Sequence, residues 1–200
     1  MNLPVYELRI DEQKEAFVEA IALVENPAIE SNFIAFSEDK PLEQFSFSDE
    51  KMELLGAAMI PNMKIYRNDA SKGDYEVVFS KETIRQIAQV YFKKGFQANL
   101  NLDHSSTTAN SYIFQSYIVD TEKGISSPKG LNLPDGTWVI GVKVEDSSIW
   151  SDIKSGKRKG FSVEGVFELF KQEFTINHQS DLEEIYDLLQ QVKRKMEGNI

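Results

Sequence analysis

The chain has 200 residues, of which 41% are apolar, and it carries no cysteine and a formal net charge of −10. Without cysteine it has no disulfide framework, no thiolate nucleophile and no cysteine-ligated metal. The negative charge argues against general nucleic-acid binding, because phosphate contacts need clustered Lys and Arg. A chain of this length and apolar content is enough for one compact domain. Charges interrupt every apolar stretch before it reaches membrane-spanning length, so we expect no membrane segment and a cytoplasmic protein.

The first half of the chain predicts a buried strand, a linker and a helix in that order. Residues 17–29 form a short apolar run that ends at Asn-Pro, which is typical of a strand closed by a turn. Residues 31–51 are rich in Ser, Asp and Glu and predict a linker-like insertion. Apolar character returns over 52–67, and residues 80–95 predict an amphipathic helix with a serine N-cap and a terminal glycine.

The second half alternates strand patterns with one short helix. Alternating polarity, or an apolar run bounded by turn residues, predicts strands over 97–104, 111–120, 137–145 and 160–170. Residues 147–156 predict the short helix, which a preceding aspartate can cap. Several strands with two inserted helices favour an α+β, mostly β fold, namely an antiparallel barrel or sandwich, over a doubly wound sheet.

The end of the chain predicts a separate element. Residues 180–197 place large apolar side chains on one stripe, which is typical of an amphipathic C-terminal helix, and the stretch before them is polar. We therefore divide the chain into a domain over 1–170 and a linker with a helix over 171–200. The helix would pack on the domain or on a partner chain.

The chain has two histidines in different settings. His104 follows a predicted strand, so its side chain would lie at the rim of a sheet, whereas His178 lies in the polar linker. A lone histidine at a strand end is more often a structural, hydrogen-bonded residue than a functional one. Asp103 and His104 cannot chelate one metal ion without a bulge, because neighbouring strand residues point to opposite faces. We predict no metal and no cofactor.

Ser162 lies between two large apolar residues, with a glycine on either side of the segment, in "GFSVEG". If Phe161 and Val163 face the core, Ser162 and Glu164 share the opposite face. The glycines would let the chain turn into the strand and leave room for a bound peptide. A serine hydroxyl needs a base to remove its proton, so the question is whether His104 reaches it.

Several motifs together resemble a known family. The segments "AIALVENPAIESNF", "MIPNMKIYR" and "NLDH", and a tryptophan-containing helix followed by "GFSVEG", look like the XkdF-like serine proteases of tailed phages, a branch of the prohead maturation proteases. The resemblance runs from about residue 17 to about residue 168. It implies a closed or nearly closed β-barrel similar to that of the herpesvirus assembly proteases. It also implies that His104 is the general base and Ser162 the nucleophile.

The resemblance leaves the third catalytic residue open. Many prohead proteases carry an acidic residue in a segment that ends in Pro-Ala, and here the matching text "EAIALVENPA" nominates Glu19. Glu164, two residues from Ser162, is the local alternative. An oxyanion site needs backbone N–H groups or a cation, for which Arg158 and the backbone around it are candidates.

The function implied by the resemblance is cleavage of scaffold and major capsid proteins, and of the chain itself, during phage head maturation. The reaction would take place in the host cytoplasm, inside the assembling procapsid. A homodimer through the barrel or the C-terminal helix would fit this setting. The alternative is a non-catalytic capsid- or scaffold-associated assembly protein with the same fold, which the joint presence of His104 and Ser162 disfavours.

Overall fold

The computed structural model of the chain describes residues 3–25, 34–36 and 51–171, and within this part it is mostly β-structure with two α-helices. The helices are α1 (Lys81–Lys93) and α2 (Ser147–Lys154). The strands, in chain order, are β1 (Val5–Arg9), β2 (Val18–Val24), β3 (Ile34–Phe36), β4 (Glu53–Met59), β5 (Ile65–Asp69), β6 (Gly73–Val78), β7 (Leu100–Leu102), β8 (Ser111–Ile118), β9 (Trp138–Val144), β10 (Gly160–Gly165) and β11 (Glu168–Lys171).

These strands form three sheets. The first has the order β11-β1-β6-β5, the second β10-β2-β7 and the third β3-β4-β9-β8. Two pairings are parallel, β1 with β6 and β2 with β7, and the others are antiparallel. The expected closed or nearly closed antiparallel barrel is therefore wrong, because each described sheet is open and ends in edge strands.

Non-local pairing explains the error. The prediction rested on the pattern of elements and on the family resemblance, which do not specify strand pairing, whereas the parallel pairs bring two N-terminal strands beside strands that lie far along the sequence. Neither β1 nor β6 was predicted as a strand. The run predicted as one strand over 160–170 is two, β10 and β11, and they belong to different sheets.

Helix α1 was predicted within two residues of its observed ends. The Ser80 hydroxyl accepts a 3.2 Å hydrogen bond from the backbone N–H of Thr83, which satisfies a donor that the first turn leaves free. The helix packs its apolar face into a core that spans all three sheets, and Tyr91 contacts Trp138 edge-to-face at 5.6 Å. This core fixes the sheet that carries the candidate site, because Phe161 of β10 is also part of it.

Two predicted segments are described only in part. Within 31–51, Ile34–Phe36 pair with β4 as an antiparallel strand, although this stretch was predicted to be a linker. The predicted linker and C-terminal helix, apart from Lys171, lie outside the described residues. Among the helices that are described, none is long and apolar enough to cross a membrane.

Candidate active site

Strand β10 presents Ser162 and Glu164 on one face. Phe161 is 1% exposed in the core, and Val163 packs against the same core. Because successive strand residues point to opposite faces, Ser162 and Glu164 face away from that core. Ser162 is partly exposed and lies opposite Ala22 of β2, whose side chain is small. The alternation expected from the sequence is the one observed.

His104 comes from a tight turn directly after β7. Asp103 and His104 both adopt the left-handed backbone conformation, with φ angles of 49° and 57°. Non-glycine residues adopt this conformation rarely, and two in succession need support from their surroundings. The turn also contains a 2.9 Å backbone hydrogen bond from Ser105 N–H to the Leu102 carbonyl. Together these contacts turn the chain so that the imidazole reaches β10.

The support for this turn is a buried arginine. One nitrogen of Arg158, Nη1, donates 2.8 Å hydrogen bonds to the Asp103 carboxylate and to the Leu23 carbonyl. The second Asp103 oxygen accepts a 3.1 Å bond from the Glu25 backbone N–H. Burial favours the neutral acid, but the hydrogen bonds from Arg158 and Glu25 outweigh it and hold the pKa of Asp103 below its ordinary value. Asp103 is thus a charged anchor for the residue before His104.

These elements bring three side chains into line. The distance from His104 Nε2 to Ser162 Oγ is 3.0 Å, and the distance from His104 Nδ1 to Glu164 Oε2 is 3.4 Å. The first is a normal hydrogen-bond length, and the second is looser than the usual range. Both histidine and glutamate are exposed, with 42% and 47% of their side-chain surfaces accessible. The arrangement is that of a nucleophile, a base and an acid that orients the base.

Asn101 is a further site residue, and the sequence prediction missed it. Its Nδ2 donates a 2.8 Å hydrogen bond to the same Glu164 oxygen that faces His104. Asn101 lies on β7 opposite Ala22, which in turn lies opposite Ser162, so the three positions share one face of the sheet. The polar positions of the alternating pattern over 97–104 were the signal that could have identified it.

Of the two candidates for the third residue, the structure brings only Glu164 to the histidine. Glu164 lies opposite Ala20 and Gly165 lies opposite Val18, so Glu19 is the extra residue of a β-bulge on β2. The Glu19 side chain is exposed and, within the described residues, forms no hydrogen bond or ion pair with His104 or Ser162.

The bulge also explains one of the glycines beside Ser162. A Cβ atom at Gly165 would lie 2.3 Å from the Phe17 carbonyl oxygen and 2.7 Å from Val18 Cα. The glycine is therefore required by the neighbouring backbone at Phe17 and Val18, whether or not a peptide binds beside it.

Arg158 does not serve the oxyanion role considered for it. It is 6% exposed, and its guanidinium is occupied by Asp103 and the Leu23 carbonyl, with Nε 3.6 Å from the Asp152 carboxylate. A cation that stabilises a reaction intermediate must point at the reacting atoms. Arg158 instead supports the turn that carries His104.

A cleft of about 400 Å³ opens beside the catalytic candidates. Ser162, His104 and Glu164 lie on its wall, and the rest of its lining comes mainly from apolar side chains of β1, β5, β6 and β11. A substrate segment placed in this cleft would lie against the serine hydroxyl.

Residues 46–171 match the model of the family described as "Putative phage serine protease XkdF". The chain belongs to this family of phage proteins. The matched range contains Asn101, His104, Ser162 and Glu164, and it excludes Glu19 and His178. The other histidine, His178, also lies outside the described residues. Comparison with curated proteins and with solved structures finds no match for the XkdF-family chain.

Proposed function

We propose that this protein is a serine endopeptidase in which Ser162 is the nucleophile and His104 the general base. The observation that carries the proposal is the 3.0 Å distance between His104 Nε2 and Ser162 Oγ, in a chain whose family is named for serine protease activity. The two residues are 58 positions apart in the sequence. The fold therefore brings together a hydroxyl and the base that would activate it.

In the proposed reaction, His104 Nε2 takes the proton of Ser162 as the serine oxygen bonds to the carbonyl carbon of the peptide. The protonated histidine then gives this proton to the leaving amine, the C–N bond breaks, and an acyl-enzyme remains. Water next attacks the ester carbonyl while His104 takes its proton. The bond from carbon to the Ser162 oxygen breaks, and the proton returns to that oxygen.

Glu164 would set the protonation pattern that this reaction requires. An ionised carboxylate only accepts hydrogen bonds, so its position beside Nδ1 favours the tautomer that carries the proton on Nδ1. Nε2 is then the free acceptor that faces Ser162. Asn101 fixes the carboxylate oxygen through its 2.8 Å hydrogen bond. The 3.4 Å contact to the histidine would shorten when substrate covers the site.

We further propose that the substrates are the scaffold and major capsid proteins of the same phage, and the chain itself, cleaved inside the procapsid in the host cytoplasm. The match to a family of phage proteins and the resemblance of the sequence motifs to prohead proteases support this setting. Self-association of the chain inside the shell would place several copies near their substrates.

The test is incubation of the purified chain with the capsid and scaffold proteins encoded beside it, followed by mass spectrometry of the products. We expect the wild type to cleave, and Ser162→Ala to lose activity on the order of a millionfold, as comparable enzymes do without their nucleophile. Ser151→Ala, the same change at an exposed serine of α2, is the matched control and should cleave normally. Undiminished cleavage by folded Ser162→Ala would exclude Ser162, and an inactive wild type would favour the assembly-protein alternative.

A further inference from the structure

The cleft beside Ser162 lies between two of the sheets. One wall is β10, which carries Ser162, Val163 and Glu164. The opposite walls come from the sheet of β11, β1, β6 and β5, with additional residues from the end of β4 and the residue after it. Because Ser162 is itself a lining residue, the side chain of a residue next to the bond that the serine attacks can enter the cleft.

The lining of the cleft is mostly apolar. Away from the catalytic residues it consists largely of aliphatic and aromatic side chains, of which six are Leu8, Ile60, Ile65, Val77, Phe79 and Phe167. The residues on the floor are well buried, with Val77 1% and Phe79 5% exposed. Arg67 is the cation among the described lining residues, and it is exposed and donates a 3.0 Å hydrogen bond to the Tyr66 carbonyl.

We infer that this cleft binds a large aliphatic or aromatic side chain of the substrate residue whose carbonyl Ser162 attacks. This inference rests on the proposed function and adds the substrate class to it. A volume of about 400 Å³ accommodates such a side chain, and it lies in the lower part of the range of small-molecule sites, roughly 300–1,000 Å³. The buried part of the described lining, in which Tyr75 carries the one hydroxyl, offers no charged partner for a charged group, which would lose its hydration on entry.

The selectivity follows from the lining. Each methylene added in an apolar enzyme pocket changes reactivity by roughly 10- to 200-fold. Isobutyl and benzyl side chains should therefore react at least about tenfold faster than a methyl group. Aminobutyl and carboxyethyl side chains should be the slowest, because the buried part of the described lining holds no charged partner for them.

The test uses diphenyl phosphonates of single amino acids, which carry the side chain in question directly beside the reactive phosphorus. The Ser162 oxygen bonds to phosphorus, the bond from phosphorus to one phenoxide breaks, and the serine proton passes through His104 to that phenoxide, which leaves as phenol. Intact-protein mass spectrometry of the full chain measures the rate of labelling for five probes, whose side chains are methyl, isobutyl, benzyl, aminobutyl and carboxyethyl. Ser162→Ala shows whether the label is on the intended oxygen.

Two neighbouring residues of β11 give a matched pair of variants. Leu169 and Phe170 are 40% and 41% exposed, but only Leu169 lines the cleft, where it lies opposite Leu8. Leu169→Lys should slow labelling by the isobutyl and benzyl probes about tenfold or more and should speed labelling by the carboxyethyl probe. Phe170→Lys, the same change beside the cleft, should leave the order of the five probes as in the wild type. Both side chains are half-exposed on an edge strand, so both variants should fold, which circular dichroism would verify.

The outcomes separate this inference from the proposed function. Labelling of Ser162 that follows the expected order, and that changes in Leu169→Lys alone, supports both. Labelling of Ser162 without preference, or with preference for the carboxyethyl probe through Arg67, overturns the apolar site and leaves the nucleophile in place. A folded wild type that none of the five probes labels overturns both.

Discussion

Two networks hold His104, and they differ in burial. On the backbone side, the Arg158 side chain is 7% exposed and holds Asp103 at 2.8 Å. On the imidazole side, Glu164 is 47% exposed and lies 3.4 Å from Nδ1. Water competes with the second contact more than with the first, because both partners of the second are exposed, whereas the first joins the buried Arg158 to Asp103, which is 45% exposed. The comparison indicates that the position of the histidine depends mainly on the buried arginine, and its tautomer on the exposed glutamate.

Of the variants that test this comparison, Arg158→Met should have the largest effect on stability and kcat. Its loss removes one of the two donors of the Leu23 carbonyl and one of the two donors of the Asp103 carboxylate, which should cost about 1–3 kcal/mol of unfolding free energy. The freed turn should misplace His104 and lower kcat on the order of 100-fold with little change in KM. Denaturant unfolding and steady-state cleavage would measure the two effects.

Lys157→Met is the matched control for this change. Lys157 and Arg158 both contact the Asp152 carboxylate, at 3.1 and 3.6 Å, but the lysine side chain is half-exposed and does not contact Asp103. An exposed ion pair contributes at most about 1 kcal/mol, so stability and kcat should stay close to wild type. Equal losses of kcat in the two variants would refute the positioning role of Arg158.

Glu164→Gln should have an intermediate effect on catalysis. A buried triad carboxylate is worth about 10⁴-fold in kcat, whereas the exposed Glu164 should be worth about tenfold because solvent weakens its contact with the imidazole. Glu19→Gln is the matched control at the bulge and should leave kcat unchanged. A larger loss in Glu19→Gln than in Glu164→Gln would reassign the third residue.

The smallest expected effect is on the pH dependence of stability. The pKa of Asp103 is lowered on folding, so its contribution is complete above its unfolded pKa, about 3.9, and is lost as pH falls through the lower folded pKa. Asp103→Asn should therefore lose less stability than the wild type between about pH 5 and pH 2. Because Asp103 is 45% exposed, the difference should be about 1 kcal/mol or less. Thermal unfolding across this range measures it, and parallel curves would contradict the assignment.

The sequence predicted local features well. Period-2 alternation placed Ser162 and Glu164 on one face, and capping chemistry placed the start of α1 at Ser80, because both depend on residues close together in the chain. The separation of His104 and Ser162, 58 positions, is a property of strand pairing, so only the resemblance of the motifs connected them. The Arg158–Asp103 contact spans 55 positions and had no local signal.

The sheet topology was mispredicted for a related reason. A parallel pair needs a long crossover between its strands, and nothing in the periodicity of β2 indicates that β7 is its neighbour. The antiparallel barrel was predicted from the pattern of several strands with two helices and from the family resemblance, and neither specifies which strands pair. Asn101 was missed in the same way, since its partner Glu164 lies on a strand two positions away in the sheet.

Strand β2 lies between the strand of the serine and the strand that leads to the histidine. Neighbouring strands are about 4.8 Å apart, so β2 acts as a spacer that sets the gap across which Ser162 and His104 meet. The family match begins at residue 46, after this spacer. A fragment cut to the matched residues would keep Ser162 and His104 but lose strand β2, which lies between their strands. Domain boundaries drawn from the family model alone would therefore divide the candidate active site.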